Sequence, residues 1–154
     1  MKASSCLLSI ALAGAACSQA ATTATPPAKE MPSAVIDPYL RIADALASDS
    51  IEGVTSNAGQ VATAATALGA LAFKIDTSAA QLTSAGGLDD AREKFAALSE
   101  AIDAYMTNLH LTPPEGVRVA FCPMVMKPWM QNDGTLRNPY YGSQMLTCGS
   151  FRSH

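Results

Sequence analysis

The sequence predicts a mainly α fold, a three- to four-helix bundle with a small irregular C-terminal cap containing one short strand. Three observations predict it. Apolar residues recur at helical spacing in two long stretches between Val54 and Leu109. Val117, Val119 and Phe121 alternate with Arg118 and Ala120, as in a half-buried strand. Beyond Cys122 all periodicity is lost among Pro123, Pro128, Gly134, Pro139, Gly142 and Gly149. With 154 residues the chain has room for one domain.

The first element is a leader. Met1-Lys2 is a short positive start, and residues 6–16 form an apolar run of signal-peptide length. That run is too short to span a bilayer, which takes about 20 apolar residues. Small residues ending in Ala15-Ala16-Cys17 suit lipoprotein processing, with residues 1–16 removed and Cys17 lipidated, although Gly14 stands where a larger apolar residue is commoner. Cleavage after Ala20 is the alternative, and Cys6 has no role. Either route exports the chain to an oxidising compartment. Residues 17–34, rich in Ala, Thr and Pro without an apolar period, read as a flexible tether, and residues 35–154 as a single domain. Without Lys2 the chain carries 9 basic against 13 acidic groups, a net charge of −4. With no basic cluster, a nucleic-acid surface is excluded.

The helices follow in order. Asp37-Pro38 suits an N-cap and first helical position, and Tyr39, Ile42, Ala43 and Leu46 carry a first helix to about Ala47. Asp49 with Glu52 resembles a capping box for a second. In it Val54, Val61, Leu68 and Ile75 fall seven apart, with Ala58, Ala65 and Ala72 between them, so a neighbouring helix can approach the alanine column closely. Ala79, Leu82 and Ala85 suggest a short third helix before Gly86-Gly87. The strongest stripe is Leu88, Ala91, Phe95, Leu98, Ile102, Tyr105 and Leu109, with Asp89, Asp90 and Glu93 in the first turn where the helix dipole favours acids. Arg92 with Asp89 or Glu93 belongs to the solvated face of that helix rather than to a catalytic set. His110 ends it as a favourable terminal cation rather than a metal ligand, and Pro113-Pro114 stops it.

The unusual chemistry lies between Cys122 and Cys148. The chain's only Trp, two of its four Tyr, four of its seven Met and half of its Cys fall there. Trp129, Tyr140 and Tyr141 read as packing groups, and Asn138-Pro139 with Gly142 as a tight turn that lays the tyrosines on the helices. Sulfur gathered in this way is either a soft-metal site or a disulfide-stapled core. Thiolates and thioethers suit Cu(I) and Ag(I), whereas Mg(II), Ca(II) and Mn(II) prefer oxygen. Zinc would want four Cys or His ligands, which this segment lacks. Composition alone favours the Cys122–Cys148 disulfide, with the methionines as core filler. A thiol enzyme with Cys122 as nucleophile is the weakest reading, since neither a general base nor a C-x-x-C spacing accompanies it.

Cys122-Pro123-Met124, Trp129, Asn138-Pro139-Tyr140-Tyr141-Gly142 and Met145-Leu146-Thr147-Cys148-Gly149, in this order, resemble the C-terminal signature of domain of unknown function 3347. Residues 91–100 are similar to that family's R-x-x-F-x-x-L-S-E helix, and Tyr39-Leu40 with Asp44-Ala45-Leu46 to its opening. The resemblance covers roughly residues 36–150. It implies an exported protein, often a lipoprotein, without established enzymatic activity, and a link to the periplasmic adaptors of copper-type efflux pumps that carry a similar domain. It places Cys-x-Met and Met-x-x-Cys pairs at Cys122, Met124, Met145 and Cys148. In this chain the stretch after Cys122-Pro123-Met124 is short, and Met126 and Met130 are extra thioethers. With the resemblance added, the expectation is an envelope lipoprotein, not an enzyme, that binds Cu(I) or Ag(I) through those four residues and serves an efflux or sequestration partner. The alternative is a disulfide-stapled module, without metal, that docks on an envelope transporter.

Overall fold

A computed structural model describes residues 30–152. The leader, Cys17 and most of the expected tether lie outside them. The described chain is mainly helical. Four α-helices, α1 (Ser33–Ala47), α2 (Val54–Ala67), α3 (Phe73–Leu82) and α4 (Leu88–Leu109), precede strands β1 (Val117–Cys122), β2 (Lys127–Asn132) and β3 (Ser150–Phe151). The strands form one antiparallel sheet in the order β2-β1-β3. Among the described residues no helix is long and apolar enough to cross a membrane.

The first helix begins at Ser33, four residues before the expected Asp37, and residues 30–34 belong to the folded part rather than to the tether. Met31 is buried and its N–H donates to the Thr112 carbonyl, which draws the chain in beside the end of α4. Pro38 therefore stands inside the helix. The acceptor its ring leaves unused is the carbonyl of exposed Ala34, where water can serve. The face of Val35, Ile36, Tyr39, Ile42 and Leu46 is buried at the expected 3–4 spacing.

The seven-residue seam is buried as expected through Val54, Ala58, Val61 and Ala65, yet it does not lie on one helix. Leu68 and Gly69 (φ 83°) break it, a short 3₁₀ turn over Ala70–Ala72 follows, and Ala72 at the end of that turn with Ile75, Ala79 and Leu82 on α3 resume it. One sequence stripe thus feeds two helices that pack on each other. The expected capping box does not form. The N-cap of α2 is Gly53 in the left-handed conformation, and Asp49 is used elsewhere. On α4 the buried face follows Ala91, Phe95, Leu98 and Ile102 and then shifts to Met106, leaving Tyr105 half-buried and Leu109 exposed. The cause is the 3.6-residue turn, which drifts off a strict seven-residue repeat.

At the C-terminus the structure holds three strands where the sequence suggested one. β1 and β2 make a hairpin running from Val117↔Asn132 to Cys122↔Lys127. Pro123 to Met126 form its turn. Pro128 hid the second strand from sequence reading, because proline cannot donate to a ladder. It is accommodated on an edge strand that lies against α4 and α1. The third strand, two residues long, adds Ser150 opposite Phe121 and Phe151 opposite Ala120.

Candidate metal centre

The hairpin delivers Cys122 to the end of β1 with its side chain in the core, 0% exposed. Cys148, on the segment that returns toward β3, is half-buried, and both are free thiols. A single side chain ties them together. Asn138 is fully buried, and its Nδ2 donates both to Cys122 Sγ at 3.2 Å and to the Cys148 carbonyl at 2.8 Å. Its Oδ1 accepts the Tyr140 N–H at 2.8 Å, and its own N–H donates to the Leu146 carbonyl at 2.7 Å. The Gly142 N–H closes the turn onto the Asn138 carbonyl. Every polar atom of this residue is occupied, so three chain segments meet at one buried amide.

The expected sulfurs are not equivalent in the structure. Met145 lies one turn before Cys148, whose N–H donates to the Met145 carbonyl at 3.0 Å, and it is half-buried. Met124 stands on the hairpin turn, 59% exposed. Met126 is beside it, more exposed still and in the left-handed conformation (φ 56°). Met130 is elsewhere. It pairs with Val119, three rungs from the Cys122–Lys127 rung, or roughly 10 Å along the ladder, and is buried in the core. His110 is an exposed left-handed residue at the C-terminus of α4. Among the described residues, no three His, Cys, Asp or Glu side chains gather as an ion site.

The aromatic residues form the floor of the cap. Tyr39 stacks on Phe95 at 4.9 Å, Phe95 meets Tyr140 at 6.0 Å, and Tyr140 meets Trp129 edge-on at 6.1 Å. Trp129 Nε1 donates to Gln131 Oε1. The Tyr39 hydroxyl shares a hydrogen bond with Ser99 Oγ at 2.7 Å and accepts the Met130 N–H at 3.2 Å. The Tyr140 hydroxyl donates to the Pro128 carbonyl. Burial pushes both phenols above the usual tyrosine range, so both remain neutral hydroxyls. Gly149 lies where no side chain fits, since an added Cβ would sit 2.6 Å from Trp129 Cη2 and 2.9 Å from the Phe121 carbonyl.

Arg92 corrects the sequence reading. It is not on a solvated face: its side chain is 10% exposed and reaches across to the cap. Its guanidinium donates to the Pro139 and Leu46 carbonyls and pairs with Asp49 Oδ1 at 2.5 Å. Asp49 Oδ2 accepts the Ser143 N–H. Hydrogen bonds from Ser143 and then Arg92 hold the Asp49 carboxyl down at about 2. This bracket fixes the Asn138-to-Gly142 turn against α1 and α4, and its sequence signal was only a charged residue on a helix. Asn138 was likewise legible as a turn residue and not as a buried hub.

No family model, curated protein or solved structure matches this chain.

Proposed function

We propose that the protein is an exported envelope lipoprotein, a helical bundle whose sulfur-bearing cap binds Cu(I) or Ag(I) for an efflux or sequestration system. The observation that carries this reading is the Asn138 amide, which draws Cys122 Sγ and the Cys148 backbone onto one nitrogen. The donor set fits a soft monovalent ion and no hard one. Cys122 and Cys148 supply thiolates, Met145 a thioether one turn away, and Met124 a thioether at the exposed hairpin turn, where an incoming ion is met first. An amide N–H aimed at sulfur gives a charge-assisted bond once the sulfur is a thiolate. Burial of Cys122 keeps bulk water from its sulfur, and the aromatic side chains pack beneath the cap. Lipid on Cys17 anchors the domain, and an efflux-pump component is the partner. The protein binds and hands over its ion and catalyses nothing.

The strand register supports a second reading. The pairs Ala120↔Phe151 and Phe121↔Ser150 run toward Cys122 and Gly149, and the shared Asn138 amide keeps the Cys148 backbone near Cys122. A Cys122–Cys148 disulfide would close a loop of about 26 residues and contribute roughly 3–4 kcal/mol. Intact mass and thiol titration of protein taken from the envelope, then Cu(I) titration against a competing chelator, separate the two. Free thiols with tight 1:1 uptake, lost in Cys122→Ser and Cys148→Ser, are expected. A persistent disulfide with no uptake after mild reduction refutes the metal reading.

A further inference from the structure

Six large apolar side chains are exposed among the described residues: Ile51, Leu71, Phe73, Leu109, Met124 and Met126. Two are the hairpin methionines. Three of the others share one end of the helical part, and the topology says which end.

Connections between successive helices are short, and each pair runs antiparallel. Arg41 on α1 reaches Asn57 and Gln60 of α2, while Ala34, seven residues earlier, shares a groove with Ala64 and Ala67. Phe73 and Lys74 at the start of α3 share a groove with Ala104 of α4, whereas Lys94 near the start of α4 reaches the Ser84 carbonyl just past α3. The start of α1, the end of α2, the start of α3 and the end of α4 therefore come together. Leu71 (73% exposed) and Phe73 (67% exposed) form the corner between α2 and α3 at this end, and Leu109 ends α4 at the same end. The same end receives the N-terminal segment. Glu30 bridges to Thr112, three residues past Leu109, and the Met31 N–H donates to the Thr112 carbonyl.

We propose that the Leu71–Phe73 corner seats in the interfacial layer of a lipid bilayer, with the helical end carrying residue 30 facing the membrane. The proposal rests on the anchoring described under Proposed function, because the chain enters the fold at this end and a lipid on Cys17, 13 residues before Glu30, would keep it within the tether's reach of the bilayer. The local chemistry agrees. Gly69, in its left-handed conformation, turns the chain so that Leu71 and Phe73 project from the corner. Lys74 follows Phe73 and is exposed, so its alkyl stem can lie along the interface with its ammonium in the headgroups. The net charge is negative, so apolar burial and not general electrostatic attraction must carry the contact. The hairpin methionines sit on the sheet, away from this corner, which leaves the sulfur site open to a soluble partner.

The test uses mature protein isolated from the envelope, in Phe73→Trp and Ile51→Trp forms, mixed with phosphatidylethanolamine–phosphatidylglycerol vesicles that contain a shallow spin-labelled lipid. The indole added at position 73 is expected to be quenched several-fold more than the one at position 51, equally at low and high salt, and Leu71→Asp is expected to abolish the difference. Equal quenching at the two positions overturns the proposal, as does quenching that high salt removes, since salt screens charge and spares apolar contact. Shielding of position 73 from aqueous quencher without vesicles, growing with protein concentration, also overturns it and assigns the corner to a second copy of the chain. Intact mass of the same preparation reports the lipid on Cys17 separately. The anchor reading can thus fail while excess vesicles still decide the fate of the corner.

Discussion

Replacing Asn138 by Ala tests whether one buried amide organises the cap. The substitution removes three hydrogen bonds, Nδ2 to Cys122 Sγ, Nδ2 to the Cys148 carbonyl, and Oδ1 to the Tyr140 N–H, together with the volume of a fully buried side chain. Two backbone groups, the Cys148 carbonyl and the Tyr140 N–H, lose their side-chain partner, at about 1–3 kcal/mol for each left unsatisfied. The bond to sulfur is weaker, and the void adds a smaller cost. A loss of roughly 3–5 kcal/mol follows, a large share of the 5–15 kcal/mol typical of a whole domain. With a urea slope of about 1–3 kcal/mol/M, the unfolding midpoint should fall by roughly 2 M. Asn138→Asp sharpens the test. It keeps the acceptor for Tyr140 but, when ionised, turns an acceptor toward the Cys148 carbonyl. It should be as unstable as the alanine variant at neutral pH and recover in mild acid, where the protonated carboxyl can donate again. Alkylation of Cys122 under native conditions should accelerate in both variants. Unchanged urea midpoints, or Cys122 no more reactive than in the parent, would refute the reasoning.

Arg92→Ala should destabilise the domain by about 1–3 kcal/mol, because the Leu46 and Pro139 carbonyls lose a charged donor; chemical denaturation at neutral pH measures it. Asp49, with its carboxyl held at about 2, contributes stability that is complete above the ordinary carboxylate range and is lost as pH falls through about 2, so acid unfolding of Asp49→Asn should lack the part of the pH dependence lying between about 4 and 2. Gly149→Ala should lower the melting temperature clearly more than Gly134→Ala: both glycines have positive φ, but only at Gly149 does a Cβ meet Trp129 and Phe121. Tyr39→Phe should cost about 1–2 kcal/mol, since it leaves Ser99 and the Met130 N–H without their partner in a dry core, and hydrogen exchange at the Met130 amide should accelerate.

Helical stripes were the most legible part of this chain, because a 3.6-residue period repeats many times and random patterning rarely imitates it. Val54 to Ala65 and Ala91 to Ile102 are buried as their spacing demands. Helix ends were less legible. The start of α1 is set by a long-range bond from Met31 to Thr112, and the break at Gly69 interrupts a stripe that continues unchanged beyond it. The strand β2 was hidden because its sequence, Lys-Pro-Trp-Met-Gln-Asn, has no alternation: Pro128, Trp129, Met130 and Gln131 are all buried. In the cap the residue types were readable and their partners were not. Nothing near Arg92 in the sequence points 43 residues back to Asp49 or 47 forward to Pro139. Nor does a turn motif disclose that Asn138 faces inward to a thiol.

The two buried tyrosines also decide how the molecule meets its own kind. An edge strand with free backbone groups is an invitation to strand exchange and to stacking of sheets from different molecules. On β2 that invitation is withdrawn residue by residue: Pro128 has no N–H, its carbonyl takes the Tyr140 hydroxyl, and the Met130 N–H is spent on Tyr39. Hydroxyls from α1 and from the turn after β2 stand in for a neighbouring strand. That edge of the sheet thus offers few free groups to a strand from another molecule, and the hydroxyls that cover it are side chains that point mutation can remove one at a time.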